Sequence, residues 1–239
     1  MRNRLLLATA LAMGTQVQGA RLQGAQVQGA QIQGAELQAA PAADPVVQVD
    51  FSNPALSPPQ WTIVLHSDGS GHFRSQADKT PTAGMKVIEA PSVDRDIQLS
   101  KAFAGHVFDA AEHHQWFNVP CESHLKVAFE GWKTLTYAGP SGHGACTFNY
   151  SRDKEIQTLG ESMQAVAETI LEGARFEVLL QHDRLGLDQE MEYFTQAVED
   201  GRAQQVYAIH DILERLVQDN AVLERVRKQA KDLLAHAAT

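Results

Sequence analysis

The sequence predicts an α+β fold: an antiparallel sheet of hairpins and a meander, with packed helices and an all-helical C-terminal part. Three observations carry this expectation. Two-residue alternation of apolar side chains dominates up to about residue 150, whereas helical periodicity takes over from Glu155 to the end of the chain. A composition that is 44% hydrophobic and 21% charged is that of a folded globular protein. The stretch from Pro45 to Thr239 is long enough to bury a core of its own.

The N-terminal segment comes first. Arg2 and Arg4 precede an uncharged run from Leu5 to Gly14, a positive n-region followed by an h-region of secretory length. That run is too short to span a bilayer, for which a helix needs roughly 20 apolar residues, and no later run approaches that length. Val17 and Gly19 take the small-residue positions of a cleavage site, so residues 1–19 read as a signal peptide and the mature chain starts near Ala20. No cysteine lies nearby to carry a lipid. The expected location is outside the cytoplasm, periplasmic or secreted.

Residues 20–40, "ARLQGAQVQGAQIQGAELQAA", repeat with a period of five. Ala20, Ala25, Ala30 and Ala35 alternate with Leu22, Val27, Ile32 and Leu37 in a frame that resembles the pentapeptide-repeat family. The resemblance implies an inward position for the alanines and a central position for the larger residues. The family's square β-helix takes about four such units per coil, and a solenoid is stable only when several coils stack. One coil has no neighbour to stack on, so residues 20–44 read as a Gln/Gly/Ala-rich disordered spacer, and the family's functions are not carried over.

Residues 45–184 read as an α+β domain. "WTIVLHSDGSGHF" holds two β-rich runs around an Asp-Gly turn. A three-residue loop of Asp68, Gly69 and Ser70 sets Leu65 opposite Phe73 and His66 opposite His72, and apolar matching favours that register over a two-residue loop. "MKVIEA" and "DIQLS" offer further strands. In "SKAFAGHVFDAAEHHQWF" the period changes, with Phe103, Val107, Ala110, Ala111 and His114 on one helical face and Ser100 as N-cap. "HLKVAFEGWKTLTYA" then predicts two strands joined at Glu130-Gly131, with Leu125, Val127 and Phe129 on one face and Phe129 paired with Trp132. "ACTFNY" returns as the third strand of this meander.

From Glu155 the pattern is helical, with Ile156, Leu159, Met163, Val166 and Ile170 at alternating steps of three and four. "GARFEVLLQHD" fits strand or helix equally well. Residues 185–239 read as a helical C-terminal extension packed on the domain, with amphipathic helices around Asp188 to Asp200, Ala203 to Gln218 and Ala221 to His236.

Charge and motifs narrow the function. The net charge is −9, and loss of Arg2 and Arg4 with the signal leaves −9 − 2 = −11. An acidic chain without a basic stripe is a poor partner for nucleic acid or an anionic membrane. "GPSGHGAC" has the glycine spacing of a phosphate-binding loop, but Ala145 and Cys146 stand where Lys and Ser or Thr are required. His113-His114 lies near a helix end, where a cation suits the dipole.

The two cysteines invite three readings. A disulfide between Cys121 and Cys146 suits an exported protein and would close a loop of about 25 residues. In a flat meander, two strand spacings would hold them about 10 Å apart, beyond the limit of roughly 7 Å, unless Pro120 lets Cys121 curl over the ladder end. Free buried thiols are the second reading. In the third, the alternative to an expectation of no cofactor, Cys121-x2-His124 and His143-x2-Cys146 supply four ligands to zinc. Four protein ligands make a closed structural site, so even this reading argues against catalysis.

Two functional classes follow. One is an exported, non-enzymatic binding or structural module that meets an unidentified partner, a protein being the candidate, through its sheet or helical tail. The other is a metal-dependent or acid-base enzyme that uses Cys121, His124, His143 and Cys146, or the pair His66 and His72. The first is preferred because no carboxylate dyad or nucleophile triad is discernible from spacing.

Overall fold

Alternation of apolar and polar residues builds a six-stranded sheet in the computed structural model, which describes residues 44–76 and 92–237. The expected signal peptide, the period-five stretch and the strand in "MKVIEA" lie outside the described residues. β1 (Val46–Ser52) buries Val47, Val49 and Phe51 on one face and turns Gln48 and Asp50 to the other. β2 (Gln60–His66), β3 (Ser70–Ser75), β4 (Val93–Gln98), β5 (Trp132–Gly139) and β6 (Gly142–Phe148) complete the sheet, in the order β4-β3-β2-β1-β5-β6. Every neighbouring pair is antiparallel.

Two details depart from expectation. The β2–β3 loop is Ser67, Asp68 and Gly69, so Ile63 pairs with Phe73, Val64 with His72 and Leu65 with Gly71. The expected register is thus displaced by two residues, which leaves Leu65 and Phe73 on the buried face but changes their partners. Gly69 closes the loop at φ +87, where a Cβ would collide with the Leu99 carbonyl, and Ser70 N donates to Asp68 Oδ1 at 2.8 Å.

The second departure concerns the meander. Residues 121–131 form no strand, and the place beside β5 expected for them is taken by β1, paired from Val46↔Ala138 to Ser52↔Trp132. β1 presents an apolar stripe that packs under the helices while its two edges pair with β2 and β5. "ACTFNY" does pair with β5, as β6, through the two-residue turn Pro140-Ser141.

The helices cover the apolar face. α1 (Lys101–His113) starts at Ser100, whose Oγ accepts from Phe103 N at 3.2 Å, and buries Ala104, Val107, Ala110 and Ala111. α2 (Lys154–His182) is capped by Asp153 and buries Ile156, Leu159, Met163, Val166 and Ile170 against the sheet. The ambiguous "GARFEVLLQHD" is the end of this helix, because Phe176, Leu179 and Leu180 continue its buried stripe.

α3 (Gly186–Glu199), α4 (His210–Gln218) and α5 (Glu224–Ala237) close a second apolar cluster around Phe176, Leu179 and Leu180. The two clusters therefore share α2. Gly173 admits Ile209 against the helix backbone, Thr169 Oγ1 donates to Gln204 O at 2.6 Å, and Arg95 Nη2 pairs with Asp211 at 3.0 Å. No helix among the described residues is long and apolar enough to cross a membrane.

Candidate functional site

Residues 121–131 form an irregular segment between α1 and β5 that is fastened at both ends. Cys121 is joined by a disulfide to Cys146 on β6, with Cα atoms 5.7 Å apart and both residues buried. The separation of about 10 Å expected for a flat meander does not arise, because Cys121 lies outside the ladder and approaches β6 directly.

Two polar side chains complete the fastening. Glu122 Oε2 accepts from Asn149 N at 2.7 Å and its Oε1 from His124 N at 3.0 Å, while Ser123 N donates to Tyr150 O at 2.9 Å. Burial works against the charge on Glu122, but the N–H groups of Asn149 and His124 outweigh it and hold the carboxyl below its ordinary value. At the far end, the buried Asn149 accepts Glu130 N on Oδ1 at 2.8 Å and donates from Nδ2 to Ala128 O at 3.0 Å.

Between these anchors the side chains face solvent. Leu125, Val127 and Phe129 are 46%, 44% and 49% exposed, and Trp132, 45% exposed, meets Phe129 edge to face at 5.9 Å between ring centres. Expected on one face of a strand, they lie instead on an irregular stretch in which Lys126 and Ala128 are exposed as well and Val127 N donates to Leu125 O at 3.0 Å.

The four residues proposed as zinc ligands are not gathered around one point. The disulfide removes both thiolates, and "HGAC" lies in strand β6, where alternation sends exposed His143 to the face opposite buried Cys146. His124 sits on the exposed loop at φ +55.

His66 and His72 are brought together, lining one cleft of about 630 Å³ with His210 and the Arg95–Asp211 pair. His72 Nδ1 meets Asp96 Oδ1 and Nε2 meets Asp94 Oδ1, both at 2.8 Å. The Asp96 contact above all raises the His72 pKa. Both nitrogens are engaged, and both carboxylates favour the protonated ring.

His113 and His114 end α1 as anticipated, yet both rings turn to Glu155 in the first turn of α2. His113 Nδ1 and His114 Nε2 lie 2.7 and 2.9 Å from the same oxygen, Glu155 Oε2. The His114 contact, followed by that of His113, lowers the pKa of Glu155. Among the described residues this is the one group of three or more His, Cys, Asp or Glu side chains whose donor atoms converge, all within 4.8 Å. Spacing does not reveal it, because Glu155 is remote in sequence from the two histidines.

Two buried charges are also invisible to spacing. Lys133 on β5 is fully buried, with Nζ unpaired and 5.5 Å from the Phe148 ring centre, and burial depresses its pKa. Glu172 on α2 is likewise buried; burial and then Glu190 push its pKa up to about 9, although Arg175 is paired to it. The sequence matches no protein-family model and no curated protein.

Proposed function

We propose that this chain is an exported, non-enzymatic module that binds a protein partner through the ridge of Leu125, Val127, Phe129 and Trp132. The observation that carries the reading is the exposure of Leu125, Val127 and Phe129, on a segment whose ends are fixed by Cys121, Glu122 and Asn149, beside exposed Trp132 at the start of β5. Contiguous exposed apolar surface marks interaction sites, and burying it gains about 25 cal/mol per Å². A segment already fastened loses less conformational entropy on binding, so more of that gain appears as affinity. Aromatic side chains such as Phe129 and Trp132 are the residue type that dominates binding energy at such surfaces.

Export rests on independent features. Arg2, Arg4 and the apolar run to Gly14 have the order of a secretory signal. The Cys121–Cys146 disulfide suits an oxidising compartment.

A photoactivatable residue placed at Val127 in the producing cells tests the reading. Val127 should crosslink to one defined protein, and the same probe at exposed Glu224 on α5 should not. Recovery of uncrosslinked monomer from both positions would sink the proposal.

A further inference from the structure

We propose that His113, His114 and Glu155 form a Zn²⁺ site where the end of α1 meets the start of α2. Three donor atoms from two helices already converge there, within 4.8 Å of one another. Zn–N and Zn–O bonds of about 2.0–2.1 Å in a tetrahedron set donors about 3.3 Å apart. The present separations of 2.7 and 2.9 Å from Glu155 Oε2 need to open by only about half an ångström.

The backbone explains how neighbouring residues aim at one point. Consecutive side chains on a helix diverge by about 100°. α1 stops at His113, and His114 leaves helical geometry at φ −98 and ψ 34, so its ring can turn to the side that His113 faces. Its side chain is only 12% exposed and is held by its surroundings; that of His113 is 73% exposed and leaves an approach from solvent.

Local charge suits a cation. The negative pole at the C-terminal end of α1 offsets the positive pole at the start of α2, so the carboxylates set the sign. Glu155 supplies one carboxylate, and Asp153, whose Oδ1 lies 3.7 Å from His114 Nε2, supplies a second nearby. Imidazole nitrogens select a transition ion of the zinc type over Mg²⁺ or Ca²⁺, which take oxygen ligands. Three protein ligands leave a fourth position open to solvent.

The cluster at His72 makes an internal contrast. Its two carboxylates approach opposite nitrogens of one ring, so no single ion touches all three groups.

Calorimetric titration of the untagged, chelator-treated full chain with ZnCl2 and with MgCl2 tests the site. One Zn²⁺ should bind per chain, raising the melting temperature, and Mg²⁺ should not. His113→Ala and Glu155→Gln should each weaken Zn²⁺ by about 10- to 100-fold or more, since loss of an outer-shell partner alone costs about that much. His72→Ala should leave the affinity unchanged. Glu155→Gln keeps size and hydrogen-bonding capacity, so its loss of binding is not a folding defect. Absence of saturable Zn²⁺ binding, or binding equally strong in His113→Ala and Glu155→Gln, would overturn the assignment.

Discussion

Lys133 shows what a single buried residue costs this fold. Its ammonium has no hydrogen-bond partner, and the carboxylates of Glu130, Glu161 and Glu122 attract it without offsetting its burial. The folded-state pKa therefore lies below the unfolded value of 10.5, and stability rises with pH as the solution passes from the folded to the unfolded value. Lys133→Met should raise the melting temperature at pH 7, and the gain should shrink towards pH 10. Calorimetry at both pH values checks this, and a lower melting temperature at pH 7 would contradict it. Glu172 follows the same logic with the opposite sign. Its folded pKa of about 9 exceeds the ordinary value of 4.5, so its contribution is fully present below about 4.5 and is lost as pH rises through 9. Glu172→Gln should flatten the decline in stability over that window. Neither charge is legible in the sequence, because a strand or helix pattern tolerates one polar residue on its apolar face without changing period.

Among the elements, α2 was the most legible and residues 121–131 the least. The steps of three and four from Ile156 to Ile170 allow only one apolar face, and every one of those residues is buried. Leu125, Val127 and Phe129 alternate just as Val47, Val49 and Phe51 do, and periodicity alone does not rank the two stretches. Long-range pairing decides between them: β1 finds partners on both edges, in β2 and β5, whereas residues 125–129 find none. The cluster of His113, His114 and Glu155 was hidden for a related reason, since the end of α1 and the start of α2 become neighbours only in the fold. At this scale the disulfide is testable. It closes a loop with a sequence separation of 25, so Cys121→Ala with Cys146→Ala should lower stability by on the order of 3 kcal/mol. Limited proteolysis should then cut within residues 122–131. Unchanged denaturant midpoints would assign the fastening to Glu122 and Asn149 alone.

At the scale of the whole molecule, two apolar clusters share one long helix. A chain limited to residues 45–184 would expose Phe176, Leu179 and Leu180, which are now covered by α3, α4 and α5. Each such side chain contributes about 1.5–3 kcal/mol of burial, against a total stability of about 5–15 kcal/mol for a typical domain. That chain should lack a cooperative melt; one that melts near the full-length temperature would show the sheet and α2 to be self-sufficient. Expressed with its own N-terminus in a bacterial host, the protein should be recovered from the periplasm starting near Ala20, and a full-length cytoplasmic product would refute export. The claim that matters most is that the ridge serves a partner and not the fold. Exposed side chains that stabilise nothing can be made polar at a cost within about 0.5 kcal/mol. The decisive measurement is therefore the melting temperature of Leu125→Ser/Phe129→Ser taken together with its crosslinking yield at Val127. The account predicts an unchanged melt and loss of the crosslinked partner; a sharply lowered melt, or a crosslink retained at full yield, would contradict it.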